Sequence, residues 1–167
     1  PKKPQKVLLH FDDNYSDPYG TIWTVNNGVS FMAGKFGNGA KFQNGQLTAS
    51  ENINFDTNDF TIDFWQKGNT TQVKPYASFF SSNRYDIRLE TGRLTTGGGS
   101  RLDRNFATPL TDGNWHHTAV VRKDGIFYVY QDGQLVMTEE RATTESFNLK
   151  TIGYTEGSPS NTYFDGI

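Results

Sequence analysis

Two adjacent histidines, His116 and His117, follow Trp115 in the stretch NWHHTAVVRKDGIFYVYQDGQLV, Asn114 to Val136. Imidazole can serve as a general base near neutral pH or as a metal ligand. Either role needs partner groups converging on one centre. Neighbouring side chains of an extended strand leave opposite faces, so the two rings cannot share a centre, and the third histidine, His10, belongs to a distant segment. Structural placement of both is the expectation. Cleavage of a glycosidic bond needs two carboxyl groups flanking it. Asp63 stands by itself in TIDFW, Arg88 lies between Asp86 and Glu90 in DIRLE, and the consecutive Glu139 and Glu140 would face apart. Asp86, Arg88 and Glu90 instead suit a cross-strand charge ladder. No catalytic residue and no enzyme activity are expected.

Binding chemistry has better candidates. Arg84 and Tyr85 in SSNRYD, and Arg101, Asp103, Arg104 and Asn105 in RLDRNF, bring polar side chains suited to hydroxyl-rich ligands. Trp65, Tyr76 and Tyr85 could supply the flat aromatic face on which such a ligand stacks. Asp12, Asp13 and Asn14 form one acidic loop and Asp165 lies near the other chain end; carboxylates of this kind can ligate calcium, and are equally at home in solvated turns. TTGGGS, Thr95 to Ser100, lacks the lysine and following helix of a phosphate cradle and is expected to be a flexible connection.

Strands must position these residues. Helical spacing is scarce, whereas DFTIDFWQK alternates Phe60, Ile62 and Phe64 with Thr61, Asp63, Trp65 and Lys67. From Trp115 onward, His117, Ala119 and Val121 alternate with His116, Thr118, Val120 and Arg122. KDG and QDGQ then allow two tight reversals, giving a three-stranded meander. Further strands are expected at KVLLHF, Ile22 to Val25, Ala40 to Phe42, Ala77 to Ser81, Tyr85 to Glu90 and Leu149 to Ile152. In GKFGNGAKF, glycines surround Phe36 where the backbone must turn sharply.

At 167 residues one domain is expected. Aromatic residues make up 14% of the chain and can bury a large area each, so the core should be aromatic-rich. A net charge of -2 gives no pull toward nucleic acid, and no apolar run reaches membrane-spanning length. The absence of cysteine leaves the compartment open. Residues 1–6, PKKPQK, read as a linker from upstream sequence, with one domain over 7–167 excised from a longer chain.

LLHFDD, GKFGNGAKF, NDFTIDFW, WHHTAVVR, FYVYQDGQLV, LKTIGY and YFDGI, in this order, resemble successive motifs of the concanavalin A-like lectin and glucanase superfamily, in its laminin-G-like branch. The resemblance implies an all-β fold, a two-sheet antiparallel jelly-roll sandwich. It also implies rim loops that often hold a glycan or calcium, with Asp12 and Asp165 favoured for the ion. The Glu-x-Asp-x-x-Glu type of glucanase signature is absent, and the acidic final strand that usually follows FDG is missing. The expected function is that of a non-catalytic, lectin-like module for a cell-surface glycan or polysaccharide within an extracellular or phage-tail virion protein. The alternative is a structural domain contacting other subunits of a virion or surface assembly.

Overall fold

Period-two burial is the organising feature. A computed structural model describes residues 7–70, 76–81, 86–90, 93–97, 110–140, 147–154 and 163–167. Every regular element among them is a strand: β1 (Trp23–Asn26), β2 (Val29–Ala33), β3 (Asn38–Phe42), β4 (Gln46–Asp56), β5 (Phe60–Gln66), β6 (Tyr76–Ser81), β7 (Asp86–Glu90), β8 (Arg93–Gly97), β9 (His116–Lys123), β10 (Ile126–Gln131), β11 (Gln134–Glu140) and β12 (Phe147–Ile152). A six-stranded sheet runs β1-β4-β12-β6-β7-β8, a four-stranded sheet runs β11-β10-β9-β5, and β2 pairs with β3. All of the pairings are antiparallel.

The larger sheet sends Leu47, Ala49, Ile53, Leu149 and Ile152 into the core, and the smaller sends Phe60, Ile62, Val120, Val129 and Met137. Among the described residues the buried core includes the rings of Trp23, Phe42, Phe60 and Phe164 beside mostly aliphatic side chains, with partly buried Phe55 and Phe127 packed against it. Phe60 lies 4.9 Å from Phe55 and 5.8 Å from Phe127 between ring centroids. Both Asp-Gly pairs make tight hairpins: Asp124 and Gly125, then Asp132 and Gly133, have positive φ at both central positions, which matches the twist of the flanking strands.

Residues 163–167 form a seam rather than a full strand. Gly166 exchanges backbone hydrogen bonds with Phe42, and Ile167 does so with Lys67, while the Asn69 N–H donates to the Asp165 carbonyl. The segment therefore joins the end of β3 to the continuation of β5.

Several expectations need correction. KVLLHF is not a strand over its described residues. Phe11 and Asp13 adopt positive φ, and the Asp13 N–H donates to the Phe11 carbonyl, which bends the chain, although Val7, Leu9 and Phe11 still pack on the core. Thr95 to Gly97 of TTGGGS belong to β8, and the rest of that stretch lies outside the described residues. Strands β2, β4 and β8 were not expected.

Candidate functional site

Strand β9 separates its two histidines. His116, Thr118, Val120 and Arg122 face inward and are buried, while His117, Ala119 and Val121 lie on the outer face. The inward set is the more polar one, and each of its polar members finds a partner. Thr118 Oγ1 accepts from Gln66 Nε2 at 3.0 Å, and Arg122 Nη1 donates to the Asp56 carbonyl at 3.3 Å. The Arg122 guanidinium also lies 5.7 Å from the Phe127 ring centroid, within cation–π range.

His116 is held between two carboxylates. Its Nδ1 lies 2.8 Å from Asp132 Oδ2 and its Nε2 lies 3.0 Å from Asp112 Oδ1, with the ring side chain only 7% exposed. Carboxylates accept hydrogen bonds, so protons on both ring nitrogens satisfy both contacts at once, and the arrangement favours the imidazolium form. Burial opposes that charge, but the hydrogen bonds and charges of Asp132 and Asp112 outweigh it and raise the His116 pKa above the ordinary value. Asp112 also accepts from the side chain and backbone of Asn114, and with His116 these bonds hold its pKa down at about 2. Asp132 resists desolvation through His116 and the His117 N–H, and its pKa also falls. With both nitrogens engaged by carboxylates, His116 is a structural clamp. It joins the turn before β9 to the β10–β11 hairpin.

The outer face carries the exposed chemistry. Antiparallel register sets Trp65 opposite His117 and Asp63 opposite Ala119. The Trp65 and His117 ring centroids lie 5.2 Å apart, and His117 Nε2 lies 3.6 Å from Asp63 Oδ2. Trp65 stays 40% exposed at the side of the four-stranded sheet. From the β2–β3 turn, which Gly34 and Gly37 close with a hydrogen bond, Phe36 meets the Trp65 ring edge-on at 5.9 Å and 87°. Phe36 itself is 72% exposed. Lys35 from the same turn holds its Nζ 4.7 Å from the Trp65 ring centroid. The result is an aromatic corner with an ammonium group on one wall and a carboxylate nearby. Such a surface can stack a sugar ring and hydrogen-bond its polar groups. Trp65 was expected from the alternation of β5, whereas Phe36 and Lys35 were not. The signal for Phe36 was a bulky apolar residue at the tip of a glycine turn, where it has no core to enter; Lys35 carried none.

The other expected site residues stand apart or lie elsewhere. Arg84, Tyr85, Arg101, Asp103, Arg104 and Asn105 are outside the described residues, and for Tyr76 only its backbone place at the start of β6 is described. Asp13 Oδ1 accepts from Asn38 Nδ2 at 2.8 Å, and Asp165 Oδ2 accepts from Asn69 Nδ2 at 3.4 Å. Asp12 lies against Gly37, where an added Cβ would come within 2.9 Å of its Oδ1. Among the described residues, no three of His, Cys, Asp or Glu gather as a metal ion would require. Asp13 and Asp165 are engaged with separate asparagines, Asn38 and Asn69.

A laminin G family model, described as the concanavalin A-like lectin/glucanases superfamily, matches residues 37–167. Among solved structures the chain resembles domain 4 of an extracellular GH43 arabinanase from Geobacillus stearothermophilus, in complex with arabinotriose. The TM-score is 0.70 at 17% identity, over 92% of this chain and 83% of that one. It also resembles the carbohydrate-binding module CBM66 from Bacillus subtilis, with a TM-score of 0.52 at 14% identity, over 77% and 85% of the two chains. The SAP-like pentraxin of Limulus polyphemus gives 0.53 at 17% identity, over 83% and 70%. No curated protein sequence matches the chain. At these identities the likeness is one of fold.

Proposed function

Because the chain belongs to the concanavalin A-like lectin/glucanase superfamily, in a laminin G branch, we propose that it is a non-catalytic carbohydrate-binding module. It attaches an extracellular or virion protein to a glycan. The observation that carries this reading is the exposed Trp65 ring, cornered by Phe36 on the outer face of the four-stranded sheet. An exposed indole on rigid strand backbone costs solvation and brings the domain no core contact, and it is the surface that a sugar's C–H face covers. Two fold neighbours support the reading by what they are: one is itself a carbohydrate-binding module, and the other was solved with an arabinose trisaccharide. The expected loop residues Arg84, Tyr85, Arg101, Asp103, Arg104 and Asn105 belong to the proposal as further contacts, as does Tyr76.

A glycan array probed with the folded domain tests it. Binding to one class of saccharide is expected, with Trp65→Ala weakening it about tenfold or more through loss of the stacking surface. Uniform absence of binding by a domain whose melting is cooperative would overturn the proposal. Running the array with calcium and with a chelator assigns or removes an ionic role for Asp12, Asp13 and Asp165.

A further inference from the structure

We infer that the ligand of the Trp65 corner is an acidic saccharide, bound with its anionic group on Lys35. This rests on the carbohydrate-binding reading and adds to it the charge of the sugar. The Lys35 ammonium already sits against the indole, 4.7 Å from its centroid. A ring face supplies no hydrogen-bond acceptor of the ordinary kind, so the three ammonium donors remain available to one. A neutral sugar stacking on that side of the ring has to displace the ammonium and gains little in exchange. A sugar bearing a carboxylate or sulfate keeps the ammonium as a partner, through a charge-assisted hydrogen bond at the rim of the stack.

The remaining polar groups give the bound sugar a direction. Asp63 stands two residues before Trp65 on the same face of β5, with its side chain 67% exposed, and His117 Nε2 is 3.6 Å from its Oδ2. A carboxylate accepts from hydroxyl groups and repels an anion. The sugar's acid therefore points to the β2–β3 turn and its hydroxyls point toward Asp63. The net charge of -2 means that affinity for a polyanion cannot come from the whole molecule's field and must come from a local cation.

Binding to polygalacturonate, to its carboxyl-reduced neutral form, to dextran sulfate and to dextran tests the inference, with wild type, Lys35→Gln and Lys123→Gln. Lys123 is exposed at the end of β9, so its variant has the same net charge as Lys35→Gln. The expected result is preference for an acidic polymer over its neutral counterpart, with about tenfold weaker acidic binding for Lys35→Gln and little change for Lys123→Gln. Preference among the two acidic polymers tells carboxylate from sulfate. Equal binding of acidic and neutral forms, or equal losses in the two lysine variants, overturns the acidic assignment while leaving the carbohydrate-binding reading intact. Absence of binding to these four polymers and to the glycan array overturns both.

Discussion

Gly166→Ala should destabilise the domain by about 3 kcal/mol, near the top of the usual range for overpacking. A Cβ at this position would press on the Lys67 carbonyl oxygen and lie 2.5 Å from Phe164 Cζ. The first obstacle is backbone and cannot rotate away. Relief requires the seam to lift, and lifting it breaks the paired hydrogen bonds of Gly166 with Phe42 and of Ile167 with Lys67. It also exposes Phe164, which is buried in the core and lies 6.3 Å from Phe42 between ring centroids. Urea unfolding with an unchanged slope and a lower midpoint is the expected signature. A midpoint equal to wild type would show that the seam contributes nothing to global stability.

Asp132→Asn should cost about 2 kcal/mol near pH 5.5, because it leaves the buried His116 ring with one carboxylate in place of two. Asparagine tolerates the positive φ of 50° that Asp132 adopts, so turn strain is not the cause of the loss. The pH dependence has a definite sign. His116 is raised in the folded state, so its contribution is complete below the ordinary histidine pKa of about 6.5 and fades as pH rises through the raised value. Asp112 and Asp132 are lowered, so theirs is complete above the ordinary carboxylate value of about 4 and fades as pH falls toward the lowered ones. The gap between wild type and Asp132→Asn should be widest between about pH 4 and 6.5 and should narrow as pH rises through the raised His116 value. A gap independent of pH would mean that His116 is not charged in the fold.

The parts of the fold that showed in the sequence are those with unbroken alternation. Strands β5, β9 and β10 keep period two, and the Asp-Gly pairs mark the β9–β10 and β10–β11 reversals, so the meander and β5 were legible as strands, but neither the pairing of β5 with β9 nor which face of β9 turns inward was. That choice depends on remote partners. Thr118 is satisfied by Gln66 and His116 by Asp112 and Asp132, and burial of a polar face is acceptable only with such partners. Strand β4 escaped notice because its alternation breaks. Its register against β12 jumps between Thr48 and Ile53, and the exposed Ser50, Glu51 and Asn52 fall within the jump. The opening strand failed for the opposite reason: LLHF looks extended, yet positive φ at Phe11 ends it.

The site was half legible for a related reason. Trp65 follows from strand geometry, since an odd-numbered member of β5 must point away from the core. Lys35 and Phe36 are far from it in sequence, and only the docking of the β2–β3 turn brings them together.

Asp132 also sets the thermodynamic character of the outer face. The N–H of His117 donates to its side chain and the carbonyl of His117 accepts from its backbone, so the residue beside Trp65 is fixed from behind before anything docks. Little conformational freedom is left there to surrender. Calorimetry of a bound saccharide should accordingly show a small entropic penalty from the protein side, as for a preorganised receptor, and that penalty should grow when Asp132 is replaced.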